Sequence, residues 1–476
     1  MKKIFLASIL LSAAITAITA QPLTLEQCRN MALEHNKSLS SAKLKMEQTT
    51  FDMKSYKANF FPQINLTATD FYSTANGNIG IAGGHLPIYN YVDAYGQYVP
   101  DVTVNEDGSY TLNQYADFPD QKLEWKVKNV FMGGITIMEP IYAGGKISTA
   151  YKMSKLGVAM ANDNIRLTEE EVIVRTDEAY YMVVRAKEMG KVAQSYKALL
   201  EELKKNVEAA FKHGMKTRND VMKVQVKLNE ATLSIQKADN GYKLALMNLC
   251  HFIGMPLDTE IAVDEEETDI ADAVIGGNDA SLTVASRPEY SILQNKAELA
   301  RQNIKLTRSD YLPNIAVGAS YTYANGAELA GKKLLDNGSA TVGIALKMPI
   351  DIFGGATNKT RSAKAAHQIA LLEQQDLTEQ MQLELRQCLN NLDEAQTELS
   401  LCETALGQAA ENMLLSKQQY EVGLEPLSNY LETQALWQQC NANLVEARCQ
   451  LHLAKTKYLK ASGQLSNFIK SSSSSQ

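Results

Sequence analysis

Proline is scarce in this chain, 11 in 476 residues, and glycine is modest at 27. Both residues punctuate loops, so their rarity argues against a loop-rich sandwich or propeller and points to long uninterrupted elements. Past residue 20 no apolar stretch reaches the roughly 18 residues needed to span a bilayer as a helix, which excludes a helical membrane protein. An excess of one charge is also missing: 47 Lys and Arg stand against 54 Asp and Glu, for a formal net charge of −7. No basic surplus supports nucleic-acid binding, and the imbalance is too mild for an acidic disordered chain.

Catalytic signatures are lacking as well. His35, His85, His213, His251, His367 and His452 form no pair at i, i+4, and no Cys-x-x-Cys occurs, so no metal, cofactor or catalytic residue is expected. The run Ala143-Gly-Gly145-Lys146 is not a phosphate loop, because the first glycine such a loop requires is Pro140. The 17 methionines are scattered and read as core fillers. Of the six cysteines, Cys388 and Cys402 lie two heptads apart, about 21 Å along one helix, and cannot pair with each other. Cys28, Cys250, Cys440 and Cys449 stay open at this point.

The beginning of the chain is distinctive. Lys2 and Lys3 precede the apolar run Ile4 to Ile18, which ends in Thr19-Ala20, the pattern of a secretory signal peptide over residues 1–20. Cys28 follows Leu-Glu-Gln rather than small residues, so no lipid anchor is expected.

After the signal, one unit is written twice. Gly134 to Ile141 matches Gly343 to Ile350 at an offset of 209, and the same offset pairs Gly145 with Gly354, Gly214 with Gly423 and Gly254 with Gly463. Phe60-Phe-Pro62 matches Tyr311-Leu-Pro313 at 251, so the first copy carries an extra 42 residues between Pro62 and Gly134. The first repeat is placed at 21–257, with a helix, a strand pair 63–73/129–140, a long outer loop 74–128, a long helix 146–211 and a helix 217–252. The second is placed at 286–465, with strands 314–324/340–350, a long helix 355–420 and a helix 426–461. Between them, 258–285 reads as a linker in an equatorial belt, and 466–476 reads as a disordered Ser-rich tail.

Two periodicities define the elements. Val172, Ala179, Ala186, Ala193, Leu200 and Val207 recur every seven residues, accompanied by Met182, Met189, Tyr196, Leu203 and Ala210, which is a coiled-coil seam. Leu385, Leu392, Leu399, Leu406 and Met413 repeat it in the second copy. The long helices would span about 100 Å at roughly 1.5 Å per residue, and the shorter ones, Leu25 to Ala58 and Asp220 to Phe252, match that length when stacked end to end. The strands alternate instead: Val342, Ile344, Leu346 and Met348 on one face, Thr341, Gly343, Ala345 and Lys347 on the other. About ten residues suffice for a transmembrane strand, and Tyr321 and Tyr323 stand where an interfacial girdle would.

Four strands cannot satisfy their own edges in lipid. Two chains would give eight strands around a filled interior, whereas three give twelve, enough for a lumen. The expected fold class is therefore mainly α with a membrane β part: long coiled-coil helices forming a periplasmic α-barrel, and four strands per chain contributing to a trimeric 12-stranded outer-membrane β-barrel.

The motifs, in this order and twice over, resemble the TolC-type outer-membrane efflux factor family. They are the early helix leading to Phe61-Pro62, the run Pro140 to Gly145, its variant Pro349 to Gly355, and Tyr420-Glu-Val422-Gly423-Leu424 followed by Tyr430-Leu-Glu432. The resemblance implies a homotrimer in the outer membrane that docks through a periplasmic adaptor onto an inner-membrane pump and gives its substrate an exit duct. It also implies adaptor-docking helical tips, which fall on Val422, Gly423 and Leu424 and, departing from the family's pattern, on His213, Gly214 and Met215. Constriction of the periplasmic end would fall just before these tips, with Lys417, Tyr420, Glu421 and Glu425 as candidates. An exit duct for protein secretion, and a non-porous periplasmic coiled-coil scaffold, are the alternative functions.

Overall fold

The computed structural model describes residues 22–264, 284–334, 336–466 and 468. The signal peptide, the interior of the 258–285 linker and most of the Ser-rich tail lie outside these residues. The chain divides into a helical unit, drawn from the chain up to Lys54, Thr149–Ile304 and the chain from Asn358 on, and a strand unit, Ser55–Ser148 with Lys305–Thr357.

The helices are α1 (Leu25–His35), α2 (Lys37–Ala58), α3 (Lys146–Lys212), α4 (Arg218–Ile253), α5 (Pro288–Ser309), α6 (Gly355–Glu421) and α7 (Leu427–Ala461). Both α3 and α6 run 67 residues without a proline, so nothing removes a backbone donor along the way. The seven-residue seam of α3 buries Val172, Ala179, Ala193, Leu200 and Val207 together with Tyr196 and Leu203. Met182, expected on that seam, is instead 43% exposed. In α6 the buried positions include Leu385, Leu392, Ala395 and Ala409.

The single early helix expected from Leu25 to Ala58 is broken. Asn36 adopts an extended ψ of 128°, and its Oδ1 accepts the backbone N–H of Ser38 at 2.9 Å, so the residue ends α1 and caps α2. The α4 helix terminates beside this junction at Gly254, whose φ of 78° and tight approach to His35 both require glycine.

The core of the helical unit carries charge. Arg29 donates from Nε to Asp177 Oδ1 at 2.7 Å and from Nη2 to Oδ2 at 2.5 Å, and the Thr456 hydroxyl donates to Oδ2 at 2.8 Å. Burial opposes the guanidinium charge, but the Asp177 carboxylate outweighs it and the pKa of Arg29 ends up raised. Burial also pushes the Cys28 thiol up to about 12, so it stays protonated. All six cysteines are free. The tail expected to be disordered from 466 begins packed: the Ser466 hydroxyl donates to buried Glu170 at 2.7 Å, and Phe468 lies against the Ile173, Leu459 and Leu465 cluster. A buried carboxyl group needs a hydrogen-bond partner, and this one holds the start of the tail in place.

The strand unit contains β1 (Gln63–Phe71), β2 (Asn76–Ile81), β3 (Gly84–Pro87), β4 (Tyr89–Val92), β5 (Tyr98–Pro100), β6 (Val102–Val104), β7 (Tyr110–Leu112), β8 (Tyr115–Phe118), β9 (Gln121–Ala143), β10 (Asn314–Leu329), β11 (Lys332–Lys333) and β12 (Asp336–Lys347). The principal strands lie in the order β1, β9, β10, β12, each antiparallel to its neighbour. Gln63 stands opposite Met138, Ala319 opposite both Ile137 and Val342, and Asn325 opposite Asp336. The two copies thus meet along β9 and β10.

All four strands differ in their limits from expectation: β1 ends at Phe71 rather than 73, β9 runs Gln121–Ala143 rather than 129–140, β10 extends to Leu329 rather than 324, and β12 begins at Asp336 rather than 340. The stretch 74–128, read as a loop, is mostly paired: β2 joins β9, β3 joins β8, β4 joins β5 and β6 joins β7. Its turns explain this. Asp93 Oδ1 accepts the N–H groups of Tyr95 and Gln97 on either side of Gly96 at φ 81°, and Gly108 takes φ 80° four residues past Val104, so each turn folds the Tyr-rich segments back into a hairpin. The strand expected over 340–350 ends at Lys347, two residues before Pro349, which has no N–H to extend the ladder.

Candidate functional site

The α3–α4 and α6–α7 connections are built alike. In the first, Gly214 takes φ 76°, its N–H bonds Phe211 O at 2.9 Å, and the Met215 N–H reaches back to Ala210 O at 2.9 Å. In the second, Gly423 takes φ 79°, its N–H bonds Tyr420 O at 3.1 Å, and the Leu424 N–H reaches Gln419 O at 2.9 Å. This is the same Schellman closure twice, and it requires a left-handed residue at the glycine.

The restarts differ. Thr217 caps α4 in a reciprocal box with Asp220, whose carboxyl the Thr217 backbone and hydroxyl donors hold below the usual range. Pro426 begins α7 with no side-chain cap. The Thr-x-x-Asp spacing was readable in the sequence as a helix start, though it was not singled out.

Each candidate side chain has a definite environment. The exposed apolar groups at the turns are Met215 (71%), Val422 (71%) and Leu424 (81%), with His213 exposed beside them. Tyr420 does not stand free: it stacks on Tyr430 at 5.4 Å, and Lys216 Nζ lies 4.5 Å from its ring centroid. Burial raises the Tyr420 pKa. Lys417 reaches Glu202 on α3 at 3.6 Å, and Glu425 accepts from the Ser416 hydroxyl at 2.5 Å. Glu421 is exposed. A cavity of about 620 Å³ lies between the two turns, and Lys216, Lys417, Tyr420, Glu421 and Tyr430 are among its lining residues. The partners Glu202, Lys216, Ser416 and Tyr430 were not identified as site residues from sequence, because their pairing crosses helices.

The strand unit contributes a wall. Every residue of β1 and of β12 is exposed, and these are the two outer strands of the principal sheet. Leu66, Val342 and Ile344 are 78%, 78% and 76% exposed. No helix among the described residues is long and apolar enough to cross a membrane. Open edges and apolar faces in an alternating sheet define a subunit of a closed membrane β-barrel.

Comparison with known proteins agrees. A family model described as "Outer membrane efflux protein" matches residues 28–255 and 281–464. The chain belongs to this family. It is 21% identical over 370 residues to the outer membrane protein TolC of Vibrio cholerae, covering 76% of this chain and 82% of that one. It is 23% identical over 343 residues to the alkaline protease secretion protein AprF of Pseudomonas aeruginosa, covering 70% and 68%. The Campylobacter jejuni CmeC outer membrane channel shares the fold, with a TM-score of 0.70, 17% identity and coverage of 93% and 86%. The protein is an outer-membrane exit channel of an export system, located in the outer membrane and extending into the periplasm. Channels of this type are homotrimeric and work with pump and adaptor components.

Proposed function

We propose that three copies of this chain join β12 of one to β1 of the next, and that the tips at Gly214 and Gly423 dock a periplasmic adaptor carrying an inner-membrane pump. The observation that carries the reading is the pair of unfilled edges. Strands alternate in direction from β1 to β12, so each junction between copies is antiparallel and the ring closes without an edge left in lipid. The pump supplies the driving force, and this chain supplies the path.

The exposed Met215, Val422 and Leu424 give an adaptor apolar anchors around two rigid turns. Within the mouth, we assign Lys417, Tyr420, Glu421 and Glu425 to the constriction. Three-fold repetition of a lumen-facing carboxylate makes an acidic ring that attracts cations.

Single-channel conductance in a planar bilayer tests the reading. The detergent-extracted protein is expected to be trimeric and to conduct, with cation preference reduced in the Glu421→Gln, Glu425→Gln double variant. A mature chain that stayed monomeric and soluble without detergent would overturn it. Comparing drug susceptibility with secreted protein in a deletion strain separates small-molecule efflux from protein secretion.

A further inference from the structure

The two tips, alike in backbone, are opposite in charge. In the register that aligns Gly214 with Gly423, Lys212 corresponds to Glu421, Lys216 to Glu425 and Lys223 to Glu432, while Glu208 against Lys417 and Asp220 against Asn429 run the other way and leave the first tip net positive and the second net negative. The first tip adds Arg218, where the second has Leu427. Some of these charges have local explanations. Lys216 lies on the Tyr420 ring, Glu425 takes the Ser416 hydroxyl, and Lys212 suits the carbonyl end of α3.

Arg218 and Glu421 have none. Arg218 is the first residue of α4, at the positive end of its dipole, and Glu421 is the last residue of α6, at the negative end of its dipole. Both are exposed, and neither forms a hydrogen bond or ion pair with another described residue. These two charges stand against their own helix dipoles, with opposite signs on the two turns.

We propose that the two tips ask opposite charges of their docking partner. The partner presents carboxylates to the tip bearing Lys212 and Arg218, and ammonium or guanidinium groups to the tip bearing Glu421 and Glu432. This rests on the docking reading above and adds its polarity. Charge complementarity of this kind selects orientation and rejects wrong partners through like-charge contact. At physiological salt the screening length is about 8 Å, so only partner groups in direct apposition to a tip read its sign.

The test uses the trimer in lipid nanodiscs and three designed α-helical hairpins with the same leucine tip, flanked by Glu, by Lys or by Ser. The Glu hairpin is expected to lose roughly tenfold in affinity with Arg218→Glu, Lys212→Glu, and the Lys hairpin a similar amount with Glu421→Lys, Glu432→Lys, each loss shrinking at high salt. Each double variant should leave the other probe within about twofold. Arg218→Glu and Glu421→Lys as single variants relieve the dipole conflict, so their thermal stability should hold or rise while docking falls, which separates recognition from folding. If all three hairpins bind alike and no variant discriminates among them, the polarity is wrong and docking stands. If none binds, the docking reading itself falls.

Discussion

In the helical unit Leu200, Leu249, Ile253 and Leu392 are buried by the chain's own helices, whereas in the strand unit Leu66, Val342 and Ile344 are each more than three-quarters exposed. Residues of the same chemistry therefore meet different solvents. Helices with a seven-residue seam bury that seam against each other, and even a buried charge such as Asp177 finds all its partners inside the unit. A four-stranded sheet has no such option. Its apolar face needs lipid and its edges need further strands, so the isolated chain fills its heptad seam from within in one region and leaves its sheet edges open in the other.

The helical unit holds the more sensitive contact. Asp177→Ala leaves the Arg29 charge buried without its carboxylate, and we expect a loss of about 3–5 kcal/mol in denaturant unfolding followed by helical signal. A loss below about 1 kcal/mol would mean that water reaches the site and that the unit is not self-contained.

The strand side is probed next by Ile344→Arg, which places a cation on the apolar face of β12. The expected cost is about 2–4 kcal/mol near the bilayer midplane, read as failure to assemble in the outer membrane. Gly343→Arg projects from the opposite face, with open space around its Cβ. That variant should assemble and change conductance instead. Equal assembly defects in both would remove the distinction between a lipid face and a lumen face.

The smallest effect concerns acid. Burial raises the pKa of Glu170, partly offset by the Ser466 hydroxyl. The folded chain therefore holds the Glu170 proton at pH values where the unfolded chain has released it. Stability from this group is greatest below the ordinary carboxylate pKa and falls as pH rises through the raised value. Glu170→Gln should flatten that decline and leave the variant more stable than the parent at neutral pH, as judged by melting temperature across a pH series. A variant less stable at every pH would show that the carboxylate is held ionised.

Much of this was legible in advance because it is periodic. The duplication at one offset placed Gly214 and Gly423 at equivalent turns, and the seven-residue repeat marked the interiors of α3 and α6 as helical. The break at Asn36 was hidden because the helical pattern continues on both sides and only the capping side chain betrays it. The hairpins within 74–128 were hidden because their turns were read as loop composition rather than as chain reversal. At the tips, the positions Tyr420 and Lys417 were visible, but Lys216 above one and Glu202 beside the other were not.

Local pattern specified the long helices, the four principal strands and their shortage, since heptads, alternation and turn glycines are relations between near neighbours that a local backbone must obey. Only the tertiary structure decided that Arg29 meets Asp177 across 148 residues, that Ser466 reaches Glu170, and that Lys216 covers Tyr420. Such pairs depend on how separate helices pack side by side, and no spacing along the chain encodes that distance.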